Sequence, residues 1–327
     1  MKFSLIIPLA PERNAPILES IKQLDYLKSD FHVVVVSGKN PSENRNKGAE
    51  KAKGEILVFL DDDAAIKENY LKKAEEFFKK YPWIDIVGGP QLSPFDEKGF
   101  AKISGYALTS EFGAFRRVHR YSPKKENFDV DESMLTSANL LCRKDVLKTV
   151  KFDTKLFPGE DPKFIDDAKK EGFKIAYNPE LIVYHKRRPT VALFVKQMFN
   201  YGKTRPFKDK FLETLKKRPY VLIPSLFLIY IVAFLAIIFS NLTITGNAVN
   251  TGYWIFAKIP FFNVLNLLPA TAYTILAFLF SIHDAIKNKN IALIVIMPFI
   301  YLLIHVSYGA GMIYGFFKKN FTSRSVG

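Results

Sequence analysis

Three consecutive aspartates, Asp61, Asp62 and Asp63, directly follow the apolar run Glu55 to Leu60. Crowded carboxylates repel one another unless a cation compensates them, and carboxylate oxygens suit a hard divalent ion such as Mn2+ or Mg2+. A cation held there can bridge to a diphosphate and neutralise charge on a leaving group. Helix capping alone accounts for one such aspartate, but not for three. A second acidic pair, Glu160-Asp161, lies between Gly159 and Pro162. With proline at the first helical position, Asp161 falls where an N-cap belongs. The same place aims a carboxylate out of a loop, where it can act as general base on an acceptor hydroxyl. Both readings stand on the sequence. His185 follows the run Leu181 to Tyr184 and precedes Lys186, Arg187 and Arg188. An imidazole there ligates a metal, meets a phosphate or is structural. The cations meet a phosphate or anchor the chain at a membrane surface.

The segments that must position these groups follow an α/β pattern. Phe3 to Ile7, ended by Pro8, His32 to Val36, Glu55 to Leu60 and Ile84 to Val87 are short apolar runs, as buried parallel strands are. Between them lie helix-compatible segments, Ala15 to Leu27, Glu43 to Lys53 and the amphipathic Asn69 to Lys80. Strands alternating with helices predict an α/β layer fold with a parallel sheet. Ligands of such sheets bind beyond the carboxyl ends of the strands, which is where the aspartates stand. Further on, Asp145 to Thr149 and Pro162 to Glu171 read as helices, and Lys174 to Tyr177 and Leu181 to Tyr184 as strands. Gly99 to Tyr121 reads either as a surface helix and loop or as an insertion facing a membrane or an acceptor.

The chain has 327 residues, a formal net charge of +15 and one cysteine, Cys142, so it forms no internal disulfide. The charge is not spread evenly. Residues 1–185 are near neutral, whereas residues 186–218 hold eleven Lys or Arg against Asp209 and Glu213. One concentrated band argues for a membrane surface and against a nucleic-acid-binding face. The opening run is too short, and too interrupted by Pro8 and Pro11, to be a signal peptide. Tyr220 to Ser240, Asn263 to Ile282 and Ile291 to Phe317 are long and apolar enough to cross a bilayer. They contain Pro224, Pro269 and Pro298, which membrane helices tolerate. The expected domains are therefore residues 1–189, a basic amphipathic interfacial segment 190–219, and a transmembrane region 220–327 with about three helices, 220–240, 263–282 and 291–317. The basic band before the first span places that side in the cytoplasm. Three crossings then carry the tail outside, against the sign of Lys318, Lys319 and Arg324. A re-entrant pair or a further span near Tyr253 to Phe262 would reverse the tail.

Several motifs occur in order: Ile6-Ile7-Pro8, Arg45-Asn46-Lys47-Gly48 with Ala52-Lys53-Gly54-Glu55, and Phe59-Leu60-Asp61-Asp62-Asp63. They continue with Ser137-Ala138-Asn139, Phe152-Asp153 leading to Gly159-Glu160-Asp161, Gly172-Phe173, Tyr177-Asn178-Pro179 and Val183-Tyr184-His185. The set resembles family 2 glycosyltransferases of the GT-A fold over roughly the first 205 residues. The resemblance implies a GT-A nucleotide-sugar-binding domain with a mostly parallel central sheet, followed by an α-helical transmembrane region. It places Pro8, Glu12, Arg45, Asp61, Asp62, Ser137 and Asn139 around the donor. It makes Asp63 and His185 the ligands of Mn2+ or Mg2+, and Asp161, with Glu160, the catalytic pair. Arg187, Arg188, Gln197 and Arg205 are then the expected contacts to acceptor or phosphate. The family inverts at the anomeric carbon by direct displacement.

The chain departs from the family at Leu9-Ala10-Pro11-Glu12, where Glu12 stands near the nucleotide base. It departs again at Val36-Ser37-Gly38, where an aspartate usually reads that base. Which base is read, uridine or guanosine, stays open on the sequence, and the implied donor is a UDP- or GDP-linked sugar. Gln197 with Tyr201-Gly202, and the stretch Gly99 to Arg117, are similar to the succinoglycan-type transferases that extend lipid-linked sugars, and the chain as a whole is similar to membrane-anchored polyprenyl-phosphate transferases. Gln197 is followed by Met-Phe-Asn-Tyr and not by the Arg-Trp signature of processive synthases, which favours single-sugar transfer. The expected activity is transfer to a polyprenyl-linked saccharide at the cytoplasmic face of the cell membrane, by a multi-pass protein that takes no nucleic acid. The rivals are transfer to a polyprenyl phosphate, a polymerising synthase, and a non-catalytic membrane scaffold.

Overall fold

The apolar runs of the N-terminal half become strands lying side by side. In chain order the elements are β1 (Phe3–Leu9), α1 (Ile17–Lys22), β2 (Phe31–Ser37), α2 (Pro41–Lys51), β3 (Ile56–Leu60), β4 (Ala64–Ile66), α3 (Tyr70–Lys80), β5 (Ile86–Gly88) and β6 (Gln91–Leu92). There follow α4 (Gly99–Leu108), α5 (Glu111–Ala114), a 3-10 turn over Phe115–Arg120, β7 (Asn139–Arg143), α6 (Val146–Thr149), α7 (Glu160–Lys170), β8 (Ile175–Tyr177) and β9 (Val183–His185). The computed structural model describes residues 1–209, 211–249 and 261–324, and it divides into two units, Met1–Leu193 and Phe194–Gly327.

Six strands form the main sheet in the order β2-β1-β3-β7-β5-β8. β1 pairs in parallel with β2 and with β3, and β5 in parallel with β8. β7 runs antiparallel to both of its neighbours, β3 and β5. The sheet is therefore mostly parallel, as expected, with β7 its antiparallel member. An apolar run looks the same whichever way its strand points, so the pattern carried no sign of direction.

Side chains alternate across the strands and feed two cores. Phe3, Leu5 and Ile7 of β1, with Ile56, Val58 and Leu60 of β3, pack with Ile17, Leu71, Ala74 and Phe77 of α1 and α3. Ile6, Leu57 and Phe59 face the other way, toward Ala49 of α2 and Phe164 and Ile165 of α7. On that second face Phe152 stacks on Phe164 at 4.3 Å and meets Phe59 edge-on at 5.2 Å. Pro8 does not end β1, which runs on to Leu9 against Ser37. The Leu9 carbonyl accepts from Gly38 on the β2 side, so Pro8 faces β3, where pairing has already stopped at Ile6 opposite Phe59. Its missing N–H is thus not needed.

A second, three-stranded sheet, β4-β9-β6, was not visible in the sequence. Its pairing sets Ala64 opposite His185 and so fixes how the aspartate turn meets the histidine. α1 is shorter than Ala15 to Leu27 because the chain leaves it to donate Asp25 N–H to the Glu68 carbonyl at 3.0 Å. Gly99 to Tyr121 forms a helix and turns, with Ala101, Ser104, Ala107 and Leu108 buried.

The second unit is helical. α8 (Val191–Lys208) leads into it, and α9 (Phe211–Lys217), a 3-10 turn over Pro219–Leu222, α10 (Ile223–Val249), α11 (Phe261–Lys287) and α12 (Leu293–Arg324) follow. Three segments, Pro219–Ala236, Leu267–Lys287 and Leu293–Lys319, are long and apolar enough to cross a membrane. Residues 250–260, where a further crossing near Tyr253 to Phe262 would fall, lie outside the described residues.

α8 packs against α12 with no room for a Cβ at either of two crossing points, Gly202 against the Tyr308 carbonyl and Gly311 against the Phe199 carbonyl. Near the end of α12, Lys319 Nζ donates to the Pro206 carbonyl and, at 3.3 Å, to the Asp209 carbonyl. The Asp209 carboxylate lies 3.4 Å from Lys208, 3.4 Å from Arg218 and 3.6 Å from Arg205. The basic tail therefore shares one end of the helical unit with the basic segment before α10. Three full crossings would separate the two, as expected from the sequence, whereas here Lys319 meets the segment that precedes α10.

Candidate active site

The site begins at the carboxyl end of β3, where the strand stops and the chain turns. Leu60 is held opposite Asn139, the Asp61 carbonyl accepts from Ala64 N–H at 3.2 Å, and β4 starts at once. The three aspartates therefore point in different directions. Asp61 Oδ1 accepts from Arg45 Nη2 at 3.0 Å. Asp62 is 5% exposed, and its Oδ2 is buried without a hydrogen-bond partner among the described residues. Asp63 offers its Oδ2 to Arg13 Nη2 at 3.0 Å and its Oδ1 to His185 Nε2 at 3.0 Å.

His185, more than a hundred positions further along the chain, is brought here by strand pairing with Ala64. Its Nδ1 lies 3.0 Å from the Lys186 carbonyl oxygen. A carbonyl only accepts, so Nδ1 carries a proton and Nε2 is the nitrogen turned to the carboxylates. Asp61, Asp63 and His185 each place one ligand atom within 4.8 Å of the others. Two carboxylate oxygens and an imidazole with its tautomer pinned fit a divalent cation such as Mn2+ or Mg2+.

The electrostatics of the cluster follow from these contacts. Burial opposes charge on His185, but hydrogen bonds and charges from Asp61 and Asp63 prevail and push it up to about 10. Burial likewise opposes charge on Asp63, and His185 and Arg13 overcome it, holding that carboxyl well below the usual range. For Asp61, burial is outweighed by His185 and Arg45, again downward. Asp62 moves the other way, raised by burial against the pull of Arg13, with the charges of Asp63 and Asp61 adding to the rise.

Arg45 ties this cluster to the second acidic pair. It projects from α2, which Asn40 caps by accepting from Ser42 N–H at 3.0 Å and Glu43 N–H at 3.3 Å. Its side chain is 5% exposed and bridges Asp61 Oδ1 at 3.0 Å to Glu160 Oε1 at 2.9 Å. Its guanidinium lies over the Phe152 ring, 5.6 Å from the centroid. Burial and the charge of Asp161 push Glu160 up to about 8 against the pull of Arg45. α7 begins at Glu160 with Gly159 as N-cap at φ 117, so Asp161 is not the capping residue that Pro162 suggested. The positive φ is one that glycine adopts without cost. Asp161 instead accepts from Ser137 Oγ at 2.7 Å through Oδ1.

Of the residues singled out in the sequence, Arg45, Asp61, Asp63, Glu160 and His185 meet in one network, and Ser137 meets Asp161. Asn139 is a clamp: it accepts from Tyr70 OH at 2.6 Å and donates to the Leu181 carbonyl at 2.6 Å and the Pro90 carbonyl at 3.3 Å. With its amide so engaged and 1% exposed, it holds the two sheets together instead of facing a donor. Arg187 is also turned inward, donating through its backbone to Glu97 at 2.6 Å and through its side chain to Ser93 and the Gln91 carbonyl. Its guanidinium lies over Tyr121 at 4.8 Å, so it braces this unit and does not present itself to an acceptor. Arg188 is exposed, and so is Glu12, which sits in a turn at φ 65. Pro8 is buried in β1. In the second unit Gln197 donates to Tyr201 OH at 3.1 Å, and Arg205 lies beside Asp209. Arg13 is the functional candidate the sequence reading passed over. It is a cation on the loop beyond the carboxyl end of β1, the place where such folds bind ligands.

The family described as glycosyltransferase like family 2 matches residues 11–202. Among curated proteins, the chain is similar to the glycosyltransferase AglE of Haloferax volcanii, 27% identical over 161 residues, 49% of this chain and 48% of that protein. It is also similar to a dolichyl N-acetyl-alpha-D-glucosaminyl phosphate 3-beta-D-2,3-diacetamido-2,3-dideoxy-beta-D-glucuronosyltransferase of Methanococcus voltae, 23% identical over 239 residues, 61% of this chain and 71% of that one. The chain thus spans about half the length of the first of these relatives. Among solved structures, the mannosyltransferase PcManGT from Pyrobaculum calidifontis, in complex with GDP-Man and Mn2+, superposes with a TM-score of 0.52 at 14% identity, covering 97% of this chain and 88% of that one. That likeness extends the GT-A fold assignment, and the match over residues 11–202 takes in more than half of the 327 residues: the chain belongs to the family 2 glycosyltransferases.

Proposed function

We propose that the chain is an inverting, metal-dependent glycosyltransferase that moves a sugar from a nucleotide diphosphate sugar to a polyprenyl-linked saccharide at the cytoplasmic face of the membrane. The observation that carries this reading is the network in which Arg45 joins Asp61 of the Asp61–Asp63–His185 cluster to Glu160, beside Asp161. It sets a cation-binding group and a candidate base at the carboxyl ends of one sheet. The named activity of the Methanococcus relative, on a dolichyl-phosphate-linked sugar, and the three apolar helices support a lipid-linked acceptor.

In this reading Asp61, Asp63 and His185 hold the cation, and Asp161 faces the acceptor. Bound there, Mn2+ or Mg2+ supplies positive charge against the diphosphate. Ser137 donates to Asp161 Oδ1 and so orients the carboxylate that takes the proton of the acceptor hydroxyl. The deprotonated oxygen attacks the anomeric carbon as the bond from that carbon to the diphosphate oxygen breaks, and configuration inverts. Arg45 keeps the first turn of α7 at the site by bonding to Asp61 and Glu160 at once. The basic segment before α10 and the basic tail beside it mark the cytoplasmic side.

The test is a donor screen on the detergent-solubilised chain with Mn2+ or Mg2+, reading nucleotide diphosphate release with polyprenyl-linked saccharides and with polyprenyl phosphate. Turnover is expected with a lipid-linked saccharide, lost in Asp63→Ala and in Asp161→Asn. Full turnover by Asp63→Ala would sink the metal assignment. Turnover of Asp161→Asn on polyprenyl phosphate alone would move the acceptor to the phosphate, which is already ionised and needs no base.

A further inference from the structure

We propose that Arg13 is a movable counter-ion of the aspartate cluster, which gives up Asp62 and Asp63 to receive the diphosphate of the donor, and so couples cation binding to nucleotide binding. The inference rests on the donor-site reading above.

The loop that carries Arg13 is fixed by its backbone. Arg13 N–H donates to the Ala10 carbonyl at 3.3 Å, and Ile17 N–H donates to the Asp62 carbonyl at 3.2 Å, docking the start of α1 on the aspartate turn. The side chain is held differently. It is 51% exposed, and its Nη2 alone makes the contacts, 3.0 Å to Asp63 Oδ2 and 3.2 Å to Asp62 Oδ1. The other arginine of the cluster, Arg45, is 5% exposed and engages two partners with both terminal nitrogens. Arg45 is thus built in. Only the Arg13 side of these pairs is exposed, Asp62 and Asp63 being 6% and 33% exposed, so Arg13 exchanges its partner where a bound cation takes over the compensation of those carboxylates, and the loop does not depend on it.

Charge decides which way it exchanges. Asp63 divides its two oxygens between Arg13 and His185. A divalent cation on Asp61, Asp63 and His185 draws on the same carboxylate and sets positive charge beside the guanidinium, which weakens that contact. A diphosphate brought to the cation presents anionic oxygens at the same mouth of the sheet. The planar guanidinium matches them in two-pronged geometry better than any lysine. Arg13 therefore opposes the cation when the nucleotide is away and favours the nucleotide once the cation is in place.

Isothermal titration of the full chain in detergent separates the two effects, using Mn2+ alone and then UDP, GDP, UMP and GMP at saturating Mn2+. Arg13→Gln should bind Mn2+ alone about threefold to tenfold more tightly, as a competing charge is removed. It should bind the preferred nucleoside diphosphate about tenfold to a hundredfold more weakly, and the matching monophosphate with a smaller loss. Arg13→Lys should fall between the two. Weaker binding of both ligands would make Arg13 a brace of the loop and overturn the proposal. Equal loss on mono- and diphosphate, or none, would overturn it as well. If the unaltered chain binds neither Mn2+ nor any nucleotide, the donor-site reading itself fails. If it binds both and Arg13→Gln matches it, only the role of Arg13 fails.

Discussion

Replacing Arg45 by methionine removes one cation from between two carboxylates. The Arg45 and Glu160 side chains are 5% and 4% exposed, and Asp61 is 28% exposed. Breaking a buried pair by removing one partner costs about 3–5 kcal/mol. The loss should depend on pH, and its sign can be worked out. Burial and the charge of Asp161 raise Glu160 from 4.5 to about 8. A carboxyl raised on folding binds more protons in the folded state than in the unfolded state. Stability therefore falls as pH climbs from the unfolded value to the folded one, by roughly 1.4 kcal/mol per unit. In the unaltered chain that fall ends near pH 8, where Glu160 ionises beside Arg45. Without Arg45 the folded value rises further and the fall continues. Arg45→Met should therefore cost roughly 1–3 kcal/mol at pH 6, where Glu160 is protonated in both proteins, and about 3–5 kcal/mol at pH 9. Adding Glu160→Gln should remove the difference between the two pH values while leaving the loss at Asp61. The assay is denaturant unfolding of the detergent-solubilised chain at both pH values. An Arg45→Met penalty equal at pH 6 and pH 9, or unaffected by Glu160→Gln, would refute the reasoning.

Other groups give independent outcomes. His185 is pushed up to about 10 by Asp61 and Asp63 against burial, so a cation must displace its proton. Mn2+ affinity, measured without nucleotide, should rise about tenfold per pH unit from pH 6 to pH 9, and His185→Gln should flatten that dependence. Asn139→Ala should lower stability by about 2–3 kcal/mol, by stranding Tyr70 OH and the Leu181 carbonyl, yet leave Mn2+ affinity unchanged. Loss of Mn2+ binding in that variant would restore Asn139 to the donor site. Cys142 is fully buried, and burial pushes its thiol up, so a thiol reagent should label it only at the rate of unfolding. Labelling of native protein within seconds would place β7 wrongly.

Much of the fold was legible because it rests on local pattern. The runs at β1, β2 and β3 are apolar because both faces of those strands are covered, Phe3, Leu5 and Ile7 on one side and Ile6 on the other. Strand direction was not legible, since nothing local distinguishes β7 from its parallel neighbours. The second sheet was missed because its strands are three, two and three residues long, too short for a period to show. The position of the tail was likewise hidden. It depends on Gly311 of α12 meeting α8, a contact between residues more than a hundred positions apart.

The site divides along the same line. Residue types announced the acids and the histidine, but not which carboxylate serves which partner. Asp61, Asp62 and Asp63 are equivalent as letters, and the turn into β4 makes them different. Asp63 shares His185 with Asp61, while Asp62 turns inward and keeps one oxygen without a hydrogen-bond partner among the described residues. Asn139 and Arg187 were assigned to ligands because their types can bind ligands, yet each is surrounded by backbone carbonyls or carboxylates that take up its donors. A buried polar side chain must be satisfied within the protein, so a residue that closes a sheet junction cannot also be held ready for a substrate. Arg13 shows the converse. Nothing in its neighbours Glu12 and Asn14 marks it, but its side chain is half exposed and holds the cluster through one nitrogen, which leaves it able to change partner once a cation compensates the carboxylates. In the proposed reading the residues fit for binding are those with contacts to exchange, Asp61, Asp63, His185 and Arg13. The buried pair of Arg45 with Glu160 holds the frame in which that exchange takes place.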